Sequence, residues 1–223
     1  KATEKELVQA IWDGGKVFAV NGAYQWCIEH NIKPSVMIML DGREFNSRFV
    51  ETPVPGCRYL LASQCHPKTF ELCRGRDVMI WHACSGGDPE VEMLKEYYFG
   101  GTFPVPPPGT TVGVRAIPLM RMLGFQSIET FGLDSCWLDN AHHTYAQPEN
   151  NGEFSTRARV WLRPKNRDDK AQSFWCSPWH VKQAQDFMEL IKLRGELFRI
   201  NPHGDGLLAA IIRTGAELQL EKP

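Results

Sequence analysis

Apolar positions along this chain recur in short blocks that alternate between two spacings. Leu7, Val8, Ala10, Ile11 and Trp12 follow Thr3 and Glu6, a pair spaced as a capping box, and stop at Gly14-Gly15. The opening segment therefore reads as a helix. Residues 16–20 then form a short apolar strand, 24–30 a helix ending at Asn31, and 35–40 a strand introduced by Pro34. Residues 59–62 and 78–81 read as further strands, with a helix over 67–73 between them. The stretch 110–123 has helical spacing in Val114, Ile117, Met120 and Leu123, is closed by Gly124, and leads into a strand over 127–131. Short strands that are apolar on both faces and separated by helices predict a parallel sheet covered on both sides. With right-handed crossovers this is an α/β, Rossmann-like, doubly wound and mostly parallel sheet.

After Asp134 the rhythm breaks. Residues 138–152 are polar, aperiodic and contain a His pair, so they read as a long lid loop. A strand is expected at a sheet edge over 158–162 and another over 174–176. Pro178 stands where a helix would start, and Ala184, Phe187, Met188 and Ile191 give 181–194 an apolar face. A last short helix falls at 207–212. Pro104, Pro106, Pro107 and Pro108 make 100–109 a stiff polyproline-like loop rather than a linker. Pro118 inside the 110–123 helix predicts a kink. With no internal repeat, the expectation is one Rossmann-like domain over 1–223. Its sheet core lies at about 16–134, and a lid loop, edge strands and C-terminal helices fill 135–223.

Composition narrows the function classes. Hydrophobic residues make up 43% and charged residues 23% of the 223, which excludes disorder, collagen and coiled coil. A net charge of −1 supplies no field for nucleic acid or an anionic membrane. The longest uncharged apolar runs, 36–40 and 207–212, are far short of the ~20 residues of a membrane span. Neither a nucleic-acid partner nor a membrane span is expected. The seven cysteines are odd in number and contain no C-x-x-C pair, which favours reduced thiols and a cytoplasmic location. Cys57, Cys65, His66, Cys73, His82 and Cys84 cluster in sequence, but their spacing fits no standard zinc pattern, and buried small hydrophobes are expected.

In an open parallel sheet, ligands sit outside the carboxyl ends of the strands. The exits here are Asn21-Gly22, Asp41-Gly42-Arg43, Ser63-Gln64, the segment from His82 to Gly87, and Gly132-Leu133-Asp134-Ser135. All are polar or glycine-rich, which predicts a crevice lined by Asp41 and Asp134. The G-x-G-x-x-G, P-loop and G-x-S-x-G signatures are missing. The phosphate candidate is Gly109-Thr110-Thr111-Val112-Gly113, where small residues at a helix start let backbone N–H groups reach an anion. The alternative for this stretch is a plain helix cap on Thr110 or Thr111.

Gly109-Thr110-Thr111-Val112-Gly113, with Ala116, Leu123-Gly124-Phe125, Ile128 and Gly132-Leu133-Asp134, resembles the 6-hydroxymethylpterin diphosphokinase-like family. Its wider circle includes flagellin-modifying glycosyltransferases and the related bacterial sialyltransferases. Val17 to Tyr24 (with Asn21 and Gly22), then Ile32-Lys33-Pro34 and Met39-Leu40-Asp41, resemble the same family further upstream. The resemblance implies a Rossmann-like sheet holding a nucleotide donor, a CMP-sugar or ATP, and a small-molecule or glycan acceptor. It also implies an opening strand and Gly-Pro-Ser loop on the nucleotide, which nothing before Thr3 can supply. A diphosphokinase needs Mg²⁺, with Asp41 and Asp134 as candidate ligands. A sialyltransferase-like enzyme needs a base, which the resemblance places on His142 or His143, and Tyr145, Thr144 or Arg157 to hold the departing phosphate.

Three readings stand. The first is a nucleotide-donor glycosyltransferase of sialyltransferase-like type, favoured over metal-bound nucleotide sugars because no D-x-D occurs. The second is a Mg-dependent diphosphotransferase acting on a pterin or similar heterocycle. The third is a non-catalytic Rossmann-like nucleotide-binding module. Trp137, Trp161, Trp175 and Trp179 are either core packing or an aromatic platform for a sugar or heterocycle.

Overall fold

The computed structural model describes residues 2–84, 88–98, 106–138, 156–163, 171–193, 199–215 and 217–219. Two compact units form, one of residues 11–124 and one of residues 1–10 with 125–223.

The first unit is α/β and Rossmann-like. Strands β1 (Phe18–Val20), β2 (Val36–Met39), β3 (Arg58–Ala62) and β4 (Asp77–Trp81) make one parallel sheet in that order. Met37, Ile38, Met39, Tyr59, Leu60 and Leu61 are all buried, so successive residues of the two central strands are covered on opposite faces. That is why these strands are near-continuous apolar runs. The flanking helices are α2 (Ala23–Glu29), α3 (Pro67–Leu72), α4 (Asp88–Tyr97) and α5 (Val112–Met122), with a 3₁₀ segment at Glu44–Val50. Helix α5 lays Ala116 and Leu119 against the core beside β1 and β2, and continues through the buried Pro118. Helix α2 ends as the sequence predicts: Asn31 takes a left-handed φ of 57°, which Asn tolerates better than most residues.

The loop before β3 is pinned by a buried tyrosine pair. The Tyr24 and Tyr59 hydroxyls lie 2.7 Å apart, and the Val54 N–H donates to both, at 2.9 and 2.7 Å. Strand β4 is one of the two edges, and Met79 and Ile80 are exposed there.

The second unit pairs β5 (Ser127–Thr130) in parallel with β8 (Arg199–Pro202). It also holds an antiparallel sheet in the order β7 (Gln172–Cys176), β6 (Ala158–Arg163), β9 (Glu217–Gln219). The strand expected at an edge over 158–162 is therefore central, because the chain's last strand returns to cover Trp161 to Arg163. Helices α6 (Pro178–Leu193) and α7 (Leu207–Thr214) complete it, with Val160, Leu162, Ala184, Phe187, Leu207 and Leu208 buried. Helix α1 (Ala2–Trp12) starts one residue before Thr3, so Thr3 is not its cap. The Glu6 carboxylate meets the His203 ring at 3.0 Å instead of turning back to close a capping box.

All seven cysteines are buried and unbridged, and burial pushes the thiols of Cys27, Cys57, Cys73 and Cys136 up to about 11. Among the described residues no helix is long and apolar enough to cross a membrane.

Candidate functional site

The parallel register brings four strand exits to one sheet edge, and short contacts stitch each to the next. The Asn21 side-chain oxygen accepts from Leu40 N at 3.4 Å, while its own N–H donates to Ile38 O at 3.0 Å. Asn21 adopts φ 43° at this turn. A Cβ on Gly42 would lie 3.0 Å from Gln64 O, so the second and third exits approach within what glycine allows. Gln64 then donates to Ala83 O at 3.1 Å, joining the third exit to the fourth. Gly22 is buried at the start of α2.

Asp41 is engaged from within its own turn. Its Oδ1 accepts from Arg43 N and Nε, both at 3.0 Å, and its Oδ2 from Arg43 Nη2 at 2.8 Å and Asn46 Nδ2 at 2.6 Å. Burial pushes the carboxyl pKa up, but the Arg43 and Asn46 hydrogen bonds outweigh burial and hold it below the ordinary value. A carboxylate offers about four acceptor positions, and all four are used here. This arrangement does not fit a Mg²⁺ ligand, since a cation would have to displace the Arg43 fork.

At the third and fourth exits stands a chain of three side chains. Ser63 is exposed and its Oγ lies 3.0 Å from His82 Nδ1. His82 is buried, and its Nε2 lies 2.8 Å from the Tyr98 hydroxyl, with the two rings edge to face. Burial lowers the His82 pKa, which favours the neutral ring.

The small-residue stretch reaches the same exits through Arg115. The guanidinium is buried and donates to Gly109 O at 2.7 Å and to Cys84 O at 2.8 Å, tying the loop before α5 to the residues after β4. A Cβ on Gly109 would meet Val114 Cγ1 at 3.1 Å and Arg115 Cγ at 3.3 Å. Thr111, rather than Thr110, is the N-cap, its Oγ1 accepting from Val114 N at 3.4 Å. Val112 and Gly113 are the first two residues of the helix, where backbone N–H groups have no carbonyl one turn back.

Asp134 belongs to the second unit. Burial, with Asp205 nearby, pushes its carboxyl pKa above the ordinary value. It follows β5 and lies against the start of α7, where the Leu208 N–H reaches its carbonyl at 3.4 Å. The next residue, Ser135, donates to Gln183 Oε1 at 2.5 Å in the interior.

The tryptophans expected as packing or platform are largely on one sheet face of this unit. Trp137 and Trp175 are bridged through Trp137 N and Trp175 O at 2.8 Å. The Arg157 guanidinium stacks 3.7 Å from the Trp137 ring centroid, and Arg159 lies 4.7 Å from that of Trp175. Arg159 and Trp161 also share this face, whereas the Trp179 ring lies tilted against that of His180.

His142, His143, Thr144 and Tyr145 lie outside the described residues. Among the described residues no three His, Cys, Asp or Glu side chains converge as a metal would need, so the Cys/His-rich stretch builds no zinc site there. Sequence reasoning missed Arg115 and Tyr98. Arg115 carried a signal, because a long cation one turn after a cap can reach back to the preceding loop.

A family model described as 6-hydroxymethylpterin diphosphokinase MptE-like matches residues 2–140. That span takes in all four exits, the 109–113 stretch and Asp134. No curated protein and no solved structure matches.

Proposed function

We infer the function from one premise, that the chain belongs to the 6-hydroxymethylpterin diphosphokinase MptE-like family. It is a transferase that passes a diphosphate from a nucleoside triphosphate to the hydroxymethyl group of a pterin or similar heterocycle. The family match carries this reading, and it favours diphosphate transfer over the glycosyl transfer that the sequence put first. The polar exits support it, because they offer fixed donors and acceptors at the sheet edge where ligands of such folds bind. The start of α5 supports an anion there, with small residues and a helix dipole of the right sign. Diphosphate transfer depends on positioning and on stabilising charge at phosphoryl oxygens. Mg²⁺ enters with the triphosphate as part of the substrate. Asp41 has no acceptor position left for it, so no step passes through a metal at Asp41.

The test is direct. Incubated with ATP, Mg²⁺ and 6-hydroxymethylpterin, the protein is expected to release AMP and form the pterin diphosphate, followed by ³¹P NMR. CMP-sugar hydrolysis or transfer without any diphosphate product would replace this reading with the glycosyltransferase one.

The helix start gives a second check. A branched side chain in place of Gly113 crowds the approach of a phosphate to the first-turn N–H groups. Gly113→Val is expected to weaken ATP binding at least about tenfold, a loss of ~1.4 kcal/mol, in calorimetry. A folded variant with unchanged affinity would leave 109–113 a plain cap.

A further inference from the structure

We propose that Ser63, His82 and Tyr98 form a proton relay that deprotonates the acceptor hydroxyl. In it Ser63 Oγ contacts the substrate, His82 Nδ1 is the base behind it, and Tyr98 is a positioning residue. The inference rests on the diphosphotransferase reading and adds the group that takes the proton.

Three observations carry it. The chain is continuous at hydrogen-bond distance, 3.0 Å from Ser63 to His82 and 2.8 Å from His82 to Tyr98. Its base is shielded while its outer hydroxyl is open: Ser63 is exposed, His82 is buried behind it, and Tyr98 is half-buried. Its open end stands at the exit of β3, where the neighbouring exits of β2 and β4 are held close by Gly42 and Gln64. A serine with no partner would be too weak a base to matter. A serine backed by a neutral imidazole can pass a proton inward as it receives one.

The step balances as follows. The acceptor O–H bond breaks and its oxygen forms a bond to the β-phosphorus of the triphosphate. The bond from that phosphorus to the α–β bridging oxygen breaks, and AMP leaves with the electron pair. The acceptor proton moves to Ser63 Oγ while the Ser63 proton moves to His82 Nδ1. The resulting imidazolium keeps its Nε2–H on the Tyr98 oxygen, then returns the extra proton through Ser63 to solvent. A neutral imidazole carries one N–H, so this chemistry requires the Nε2–H tautomer with Nδ1 bare.

The experiment uses the full chain, with ATP, Mg²⁺ and 6-hydroxymethylpterin as probes. Ser63→Ala, a surface change, is expected to lower kcat by ~10²–10⁴ with KM within about twofold, the range for losing general-base assistance. Ser63→Thr, which keeps the hydroxyl, is expected to restore most of the rate. Long-range ¹H–¹⁵N NMR of the wild-type protein is expected to place the His82 proton on Nε2. Wild-type turnover with an unaffected Ser63→Ala variant, or a proton on Nδ1, overturns the relay alone. A wild-type protein that makes no diphosphate product overturns the transferase reading and the relay with it.

Discussion

Replacing Gly206 with alanine is expected to destabilise the protein by about 3 kcal/mol, the upper end for overpacking. Gly206 is the N-cap of α7, with φ −74° and ψ 170°, a conformation open to any residue. Backbone freedom is therefore not what glycine supplies here. A Cβ at this position would stand 2.5 Å from Asp134 Cα and 2.7 Å from Asp134 Cβ. Those atoms belong to the main chain and its first carbon, so no side-chain rotation relieves the overlap. Either α7 must slide or the turn after β5 must open. Gly204→Ala is the comparison. Its φ is 92°, but the nearest atom to an added Cβ is Asp134 Oδ1 at 3.4 Å, an ordinary contact. That substitution is expected to cost only the ~1–2 kcal/mol of placing a Cβ in left-handed backbone. Urea titrations of the two variants measure the difference, and equal midpoints would mean that the approach of Asp134 to α7 leaves room for a methyl group.

The turn that makes Gly206 necessary could not be read from the chain, whereas the four-stranded sheet could. Strands β2 and β3 are legible because both faces are buried, and β1 and β4 because they too are short apolar runs, so local sequence reports the fold without reference to distant partners. Strand β8 reads Arg-Ile-Asn-Pro and buries only Ile200 and Pro202, and its partner β5 lies about seventy residues upstream (Ser127 opposite Arg199). Its existence depends on that pairing, and no local pattern announces it. Helix α4 escaped for a related reason. Leu94 is buried and Val91 half-buried, while Met93 and Tyr97 face solvent, so its apolar positions are spread over more than one face and form no single stripe.

The candidate site divides along the same line. The exits Asn21, Asp41, Ser63 and His82 follow from strand order. Their mutual contacts follow from register, since Ala62 opposite Trp81 places Ser63 beside His82. Arg58 to Ala62 and Asp77 to Trp81 advance together, and the next residue on each strand inherits the pairing. What the sequence could not show is that Asp41 is satisfied by Arg43 and Asn46. Asp-Gly-Arg reads equally well as a turn or as a ligand site, and only the side-chain directions separate the two.

The two candidate aspartates are expected to respond to amidation with opposite signs. Asp41 is held below its ordinary pKa, because hydrogen bonds from Arg43 and Asn46 outweigh burial. Its contribution to stability is present above the unfolded value of ~3.9 and is lost as pH falls through the lower folded value. Asp41→Asn is therefore expected to cost on the order of 2 kcal/mol at pH 7, the scale of charge-assisted hydrogen bonds, and progressively less in acid. Asp134 is held above its ordinary pKa by burial and by Asp205. The folded state keeps its proton where the unfolded chain has lost it, so stability from this group is full below ~3.9 and falls as pH rises through the folded value. Asp134→Asn removes that loss, and is expected to raise Tm at pH 7 by about 2–4 °C, with the gain vanishing near pH 4. Thermal unfolding of both variants from pH 3 to 8 measures the two curves. An Asp134→Asn protein less stable than wild type at neutral pH would show that its carboxylate holds α7 in place. A stabilised variant that has lost diphosphate transfer would show instead that the chain keeps a half-buried carboxylate at a cost in stability, for its chemistry.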